Sequence, residues 1–176
     1  MVWLKKRRSG VLLHLSALPS CQGIGNLGSS SRRFLNFLSS IGSTYWQICP
    51  IGPTGFGNSP YSSLSAFAGN SSLLDFEFLC QHGLLHPDDL NVLNQFPKDK
   101  VDHQGLEVVV NSLLRKAFDV FIEENCTSLD DTYTYDAFKS ESAYWLNDYA
   151  LYRAFKIRFD HLPWYEWPQA HRLITD

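Results

Sequence analysis

Two short runs of strand character flank one amphipathic helix within the first fifty residues, and that order constrains the fold more than any other feature. Gly10-Val-Leu-Leu-His-Leu-Ser16 is apolar with turn residues on both sides, as in a strand buried on both faces. Gly28-Ser-Ser-Ser31 offers hydroxyls to cap a helix, and Phe34, Phe37, Leu38 and Ile41 recur at the spacing of one helical face. Gly42 is placed to end that helix. Thr44-Tyr-Trp-Gln-Ile-Cys49 then has the composition of a second strand, closed by Pro50. Strand, helix and strand in this compass predict a βαβ unit, a parallel pair joined by a right-handed crossover. The fold class is α/β.

Just past the second strand lies Ile51 to Asn70, dense in Gly, Ser, Pro and aromatic residues. Parallel sheets place their ligands at this edge, beyond the C-terminal ends of the strands. Rigid turns, small hydroxyls and aromatic rings suit a sugar, whose CH faces stack on rings while its hydroxyls exchange hydrogen bonds with Ser, Asn and backbone groups. Composition alone leaves a plain packed loop as the alternative.

The rest of the chain reads as helical. Asp75 can cap a short helix closing at Gly83, and His86-Pro87-Asp88-Asp89 starts another turn. Leu106, Val109, Val110, Leu113, Ala117, Val120 and Phe121 keep a helical stripe. A polar loop is expected over Asn125 to Tyr135. A further helix is expected over Glu141 to Arg158, with Trp145, Tyr149 and Tyr152 on one face.

Charge narrows the chemistry. The chain of 176 residues has room for one ordinary domain, and its formal net charge of −3 gives no reason to expect nucleic acid or an anionic membrane as partner. Not one Asp or Glu precedes Asp75, so the first 74 residues supply no carboxylate acid, base or metal ligand. The basic cluster at Lys5 to Arg8 reads as a solvated tail. The later acid pairs, Asp88-Asp89, Glu123-Glu124 and Asp130-Asp131, read as caps and solvated faces. No apolar run is long enough for a membrane span, and no signal-type cleavage site follows the start. Cytoplasmic localisation is the expectation. Cys21, Cys49, Cys80 and Cys126 show no ligand spacing and are expected to be free, mostly buried thiols. None of the six histidines has metal-ligand spacing. His14 is expected to be satisfied by a core hydrogen bond, and the others to lie on the surface. No metal site or cofactor is expected.

Gly23-Ile-Gly25-Asn-Leu-Gly28 matches the dinucleotide fingerprint, yet the reading fails. Four residues separate the strand from the first glycine, and the acid needed about 20 residues on cannot exist in an acid-free stretch. It reads as a glycine-rich connecting loop.

An ordered string of motifs carries the argument further: Ser9-Gly-Val-Leu-Leu-His14, Leu18-Pro19, Gly23-Ile-Gly25-Asn-Leu-Gly28, Trp46-Gln47, Pro50-Ile-Gly-Pro-Thr-Gly55, Ser59-Pro60-Tyr61 and Ser65-Ala-Phe-Ala-Gly-Asn70. Together they resemble the N-terminal portion of the amylomaltase, or disproportionating-enzyme, family of 4-alpha-glucanotransferases. Trp145-Leu-Asn-Asp148-Tyr149-Ala150-Leu151 and Leu162-Pro163-Trp164 resemble that family's later N-terminal helix and the turn after it. Asn58, Ser71 and the stretch His14 to Leu18 depart from the family pattern without removing the match.

The resemblance implies the start of a (β/α)8 TIM barrel, incomplete in this chain, with a helical insertion after the second strand. Residues 1–75 would form the first βαβ unit and substrate loop, 76–140 the helical insertion, and 141–176 the helix and turn leading towards the remainder. The implied activity is transfer of α-1,4-glucan segments between maltooligosaccharides by a retaining mechanism. That chemistry needs carboxylates and no cofactor. The family's catalytic acids come from later strands, so no catalytic residue is carried over, and the chain is expected to be an N-terminal part or a truncated copy. Tyr61 would stack on the sugar at the cleavage point, with Ser59 a nearby polar contact. Phe56 stands at a secondary glucan-contact surface. Expected partners are the glucan and the missing C-terminal part of the same enzyme. The rival reading is a non-catalytic glucan-binding or interaction fragment using Tyr61, Phe56 and Trp46.

Overall fold

The structure, a computed structural model, describes residues 7–124, 126 and 133–172. They fall into two compact units divided after Cys126. In the first, strand β1 (Gly10–Leu12) and strand β2 (Tyr45–Gln47) pair in parallel, Gly10 opposite Tyr45, Val11 opposite Trp46 and Leu12 opposite Gln47. Helix α1 (Ser29–Ser40) connects them, so the βαβ unit is present as expected. The strands are shorter than the apolar runs that encode them. After Leu13 N–H donates to the Gln47 carbonyl at 3.0 Å, the chain turns into a 3₁₀ helix over Leu15–Ala17. Pro50, without an N–H, follows the other strand.

Burial of both sheet faces is not what the structure shows. Helix α1 covers one face, where Phe34 meets Trp46 edge-on at 4.9 Å. Trp46 Nε1–H donates to the Leu13 carbonyl at 2.7 Å. On the other side Leu12 is 62% exposed, and Tyr45 is exposed as well. A sheet needs a packed layer against each face, and a single crossover helix supplies one.

The serines that open α1 also differ from expectation. Gly28 is the N-cap residue and brings no side chain to it. The hydroxyls of Ser30 and Ser31 instead donate backwards, to the carbonyls of Pro19 and Asn26. They hold the glycine-rich loop, whose centre is the buried Gln22. Its amide donates to the Leu74 carbonyl at 3.2 Å, and its oxygen accepts from Asn26 at 2.5 Å and from Phe76 N–H at 3.3 Å. A β-carbon on Gly25 would collide with the carbonyl oxygens of Leu15 and Leu18. The fingerprint glycines thus serve close packing in a connecting loop.

Asp75 caps helix α2 (Phe76–Gln81), accepting from Glu77 N–H at 3.2 Å. His86 and Asp89 form a capping box on a 3₁₀ helix over Pro87–Gln95. Asp102 caps helix α3 (His103–Glu123) through Gly105 N–H at 3.1 Å. Leu106, Val110, Leu113 and Ala117 form the buried stripe of α3; Leu73, Phe76, Leu79, Leu84, Leu85 and Leu93 complete the buried apolar set of this region. Asp75 and Asp89 cap as expected, Glu123 and Glu124 end α3, and Asp130-Asp131 lie outside the described residues. The expected polar loop from Asn125 lies largely outside the described residues.

In the second unit the helix expected over Glu141 to Arg158 is present as α5 (Ala143–Arg158), and a short helix that was not expected, α4 (Tyr135–Glu141), precedes it across Ser142. Thr134 caps α4 through Ala137 N–H at 3.1 Å. Tyr152 and Phe155 of α5 and Phe159 at its C-cap gather Trp167, with ring separations of 5.6 to 5.7 Å. His171, expected on the surface, packs edge-on against Phe155 at 5.0 Å and Phe159 at 5.3 Å. The aromatic face of α5 draws the imidazole in.

His14 is a second correction. Its Nδ1 is buried without a hydrogen-bond partner, and burial holds its pKa below the ordinary value. The four thiols are free, but Cys21 is exposed and the other three are only half-buried. Cys21, Cys49 and Cys126 lie in connecting segments, off the stripes that fill the core. No helix among the described residues is long and apolar enough to cross a membrane.

Candidate functional site

The candidate loop begins four residues past β2, and its own backbone gives it a shape. Asn70 N–H donates to the Ile51 carbonyl at 2.8 Å and closes the base. Higher up, Thr54 and Ser63 form an antiparallel bridge, flanked by Gly55 N–H to Ser62 O at 2.9 Å and Leu64 N–H to Pro53 O at 2.8 Å. The tip is a 3₁₀ turn over Phe56–Asn58. It needs positive φ at two successive positions, 77° at Gly57 and 53° at Asn58, and Gly and Asn tolerate that region best. Ser65 Oγ accepts from Phe67 and Ala68 N–H, both at 3.1 Å, and turns the chain back. The serines here therefore hold backbone, which frees the rings to face outward.

Phe56 at the tip is fully exposed, and Tyr61 is 76% exposed. Ser59 lies beside Tyr61: its Oγ accepts from Tyr61 N–H at 3.3 Å. The Tyr61 hydroxyl donates to Cys49 Sγ at 3.8 Å, and this bond raises the phenol's pKa above its ordinary value. Ser59 and Tyr61 are thus brought together, while Phe56 stands apart on the tip. Trp46, the rival reading's third ring, is half-buried under α1 with its indole N–H occupied. Cys49 went unnoticed as a neighbour of Tyr61 in the sequence, because a contact across twelve residues leaves no periodic signal.

Two cavities, of about 220 and 240 Å³, lie beside α1, and neither is lined by a residue of the loop. Phe56 and Tyr61 form an open surface. Among the described residues no group of three His, Cys, Asp or Glu is placed to hold a metal ion. What the loop offers chemically is ring faces and hydroxyls, the means to bind a polyol and not to cleave it.

Comparison with known proteins settles the lineage. The sequence matches the profile of glycoside hydrolase family 77, 4-alpha-glucanotransferase, over residues 13–176. The chain belongs to the 4-alpha-glucanotransferase family. The 4-alpha-glucanotransferase of Streptococcus pneumoniae is 41% identical over 169 residues, covering 95% of this chain and 32% of that protein. The 4-alpha-glucanotransferase of Thermus thermophilus is 42% identical over 162 residues, 92% of this chain and 31% of its own length. A solved amylomaltase from Streptococcus agalactiae, in complex with acarbose, matches with a TM-score of 0.80 at 33% identity, over 93% of this chain and 32% of that one. The family that the ordered motifs indicate is the family that the profile identifies. The chain spans about a third of the length of these 4-alpha-glucanotransferases.

Proposed function

We propose that the chain is the N-terminal part of a cytoplasmic enzyme that transfers α-1,4-glucan segments between maltooligosaccharides by a retaining mechanism. The observation that carries this reading is the family match, continuous over residues 13–176. In this reading β1, α1 and β2 begin a (β/α)8 barrel, residues 76–140 are its helical insertion, and 141–176 lead back towards the barrel. Tyr61 stacks on the sugar at the cleavage point, Ser59 adds a polar contact, and Phe56 gives a glucan chain a second ring further out. An exposed ring at the C-terminal edge of a parallel pair supports that assignment. Retaining transfer needs a carboxylate nucleophile and a carboxyl acid/base facing one glycosidic bond. With no acid before Asp75, the loop region binds and orients while the remaining two thirds of the enzyme perform the bond exchange.

The rival reading, a glucan-binding fragment without transfer activity, is favoured by that same lack of acids. Maltoheptaose separates the two. The chain alone is expected to bind the sugar in a Tyr61-dependent way and to release no ladder of redistributed lengths. Co-expression with the remaining two thirds of a homologous 4-alpha-glucanotransferase is expected to produce the ladder. Binding without restored transfer would favour the binding fragment, and no binding by the chain would overturn both.

A further inference from the structure

We propose that Cys49 is a positioning residue for Tyr61, fixing the phenol ring in the orientation that presents its face to a glucose unit; this rests on the stacking role proposed above. The ring is 76% exposed, so packing holds little of it. Two polar contacts hold the residue instead, one at each end. The Tyr61 N–H is bound by Ser59 Oγ at 3.3 Å, which sets the backbone. The Tyr61 hydroxyl is bound by Cys49 Sγ at 3.8 Å, which sets the far end of the ring.

Cys49 is suited to this by its place. It follows β2 by two residues, after Ile48 and before the rigid Pro50, and the ladder continues to Leu13 N–H and Gln47 O at its foot. Its sulfur is therefore a fixed acceptor on the scaffold, whereas Tyr61 belongs to a loop closed on itself. The contact ties the loop's ring to the strand end. Without it the ring turns about both side-chain torsions and must be ordered again when sugar binds, which weakens binding without removing any contact to the sugar. The same bond raises the phenol's pKa, an effect readable without ligand.

The test uses the full 176-residue chain with maltoheptaose, followed by calorimetry, and with phenol ionisation followed by ultraviolet difference titration. Cys49→Ala and Tyr61→Phe are each expected to weaken binding about three- to tenfold, the cost of re-ordering one side chain. The double variant should be no weaker than either single one. Cys49→Ser, whose shorter C–O bond leaves its oxygen beyond hydrogen-bond reach of a hydroxyl that met sulfur at 3.8 Å, should weaken binding as Cys49→Ala does. In the absence of sugar, Cys49→Ala should lower the ionisation point assigned to Tyr61 by its loss in Tyr61→Phe. Unchanged affinity and unchanged ionisation in Cys49→Ala, with binding still lost in Tyr61→Ala, would overturn the positioning role and leave the stacking reading standing. Full binding by Tyr61→Ala would overturn both.

Discussion

The βαβ region and the helical region from Asp75 to Glu124 belong to one compact unit, yet they solve burial differently. Between Leu73 and Ala117 lie the most deeply buried apolar side chains of the region: Phe76, Leu106 and Val110 are each 1% exposed, and Leu73 and Leu93 2%. In the βαβ region, α1 shields Trp46, while Leu12, Tyr45 and Ile48 remain exposed on the strands. A helix can bury its single stripe against whatever helices are nearby, but a parallel strand has two faces and two edges to cover. The helical region is locally sufficient. The strand pair leaves one face uncovered.

The strongest way to break that contrast is to truncate one side chain in each region. Phe76→Ala is expected to cost about 3–5 kcal/mol in urea denaturation, because a cavity replaces a packed ring. Leu12→Ser should stay within about 0.5 kcal/mol, as for an exposed site. A loss at Leu12 comparable with that at Phe76 would mean that the outer sheet face is packed after all.

The loop between β1 and α1 sharpens the comparison, since it joins the two regions through Gln22 to Leu74 and Phe76, and through Leu27 N–H to the Leu73 carbonyl at 2.9 Å. Gly25→Ala is expected to cost about 1–3 kcal/mol by overpacking against Leu15 and Leu18. Gly69→Ala, whose β-carbon meets nothing within 4 Å, should be nearly neutral in the same urea denaturation. Equal effects would show that the junction loop yields, and that the regions are less tightly joined than its hydrogen bonds suggest.

The smallest expected effect is electrostatic and confined to the helical region. The Lys116 ammonium, 2.6 Å from Asp89, and the His86 N–H hold the Asp89 pKa below its ordinary value. A depressed carboxylate stabilises the fold above its unfolded pKa, about 3.9, and the contribution is lost as pH falls through the folded value. Asp89→Asn should therefore flatten the acid limb of stability below about pH 4. Near neutrality it should lower stability by at most about 1 kcal/mol, because Lys116 is exposed. An unchanged acid limb would place the acid sensitivity elsewhere.

Much of this was legible in residue order. The helical stripe of α3, the cap at Asp75, the turn that starts at His86 and the βαβ order follow from local spacing, whereas the family is read from the resemblance of an ordered motif string. Helix and strand periods are properties of neighbouring residues, so a single chain displays them without its partners. Helix α4 escaped because its seven residues, Tyr135–Glu141, are too few to display a repeating apolar stripe.

Tertiary structure alone decided the rest. Gln22 becomes the buried node joining two regions because its partners lie 52 and 54 residues away. His171 enters an aromatic cluster that a turn folds back onto α5, and His14 is left with a buried nitrogen that no neighbour satisfies. The Ser30 and Ser31 hydroxyls turn from the helix to the loop carbonyls behind it. Cys49 meets Tyr61 because the loop closes on itself and returns its ring to the end of the strand. Such contacts depend on where the chain travels between two residues, and composition and periodicity carry no record of that path.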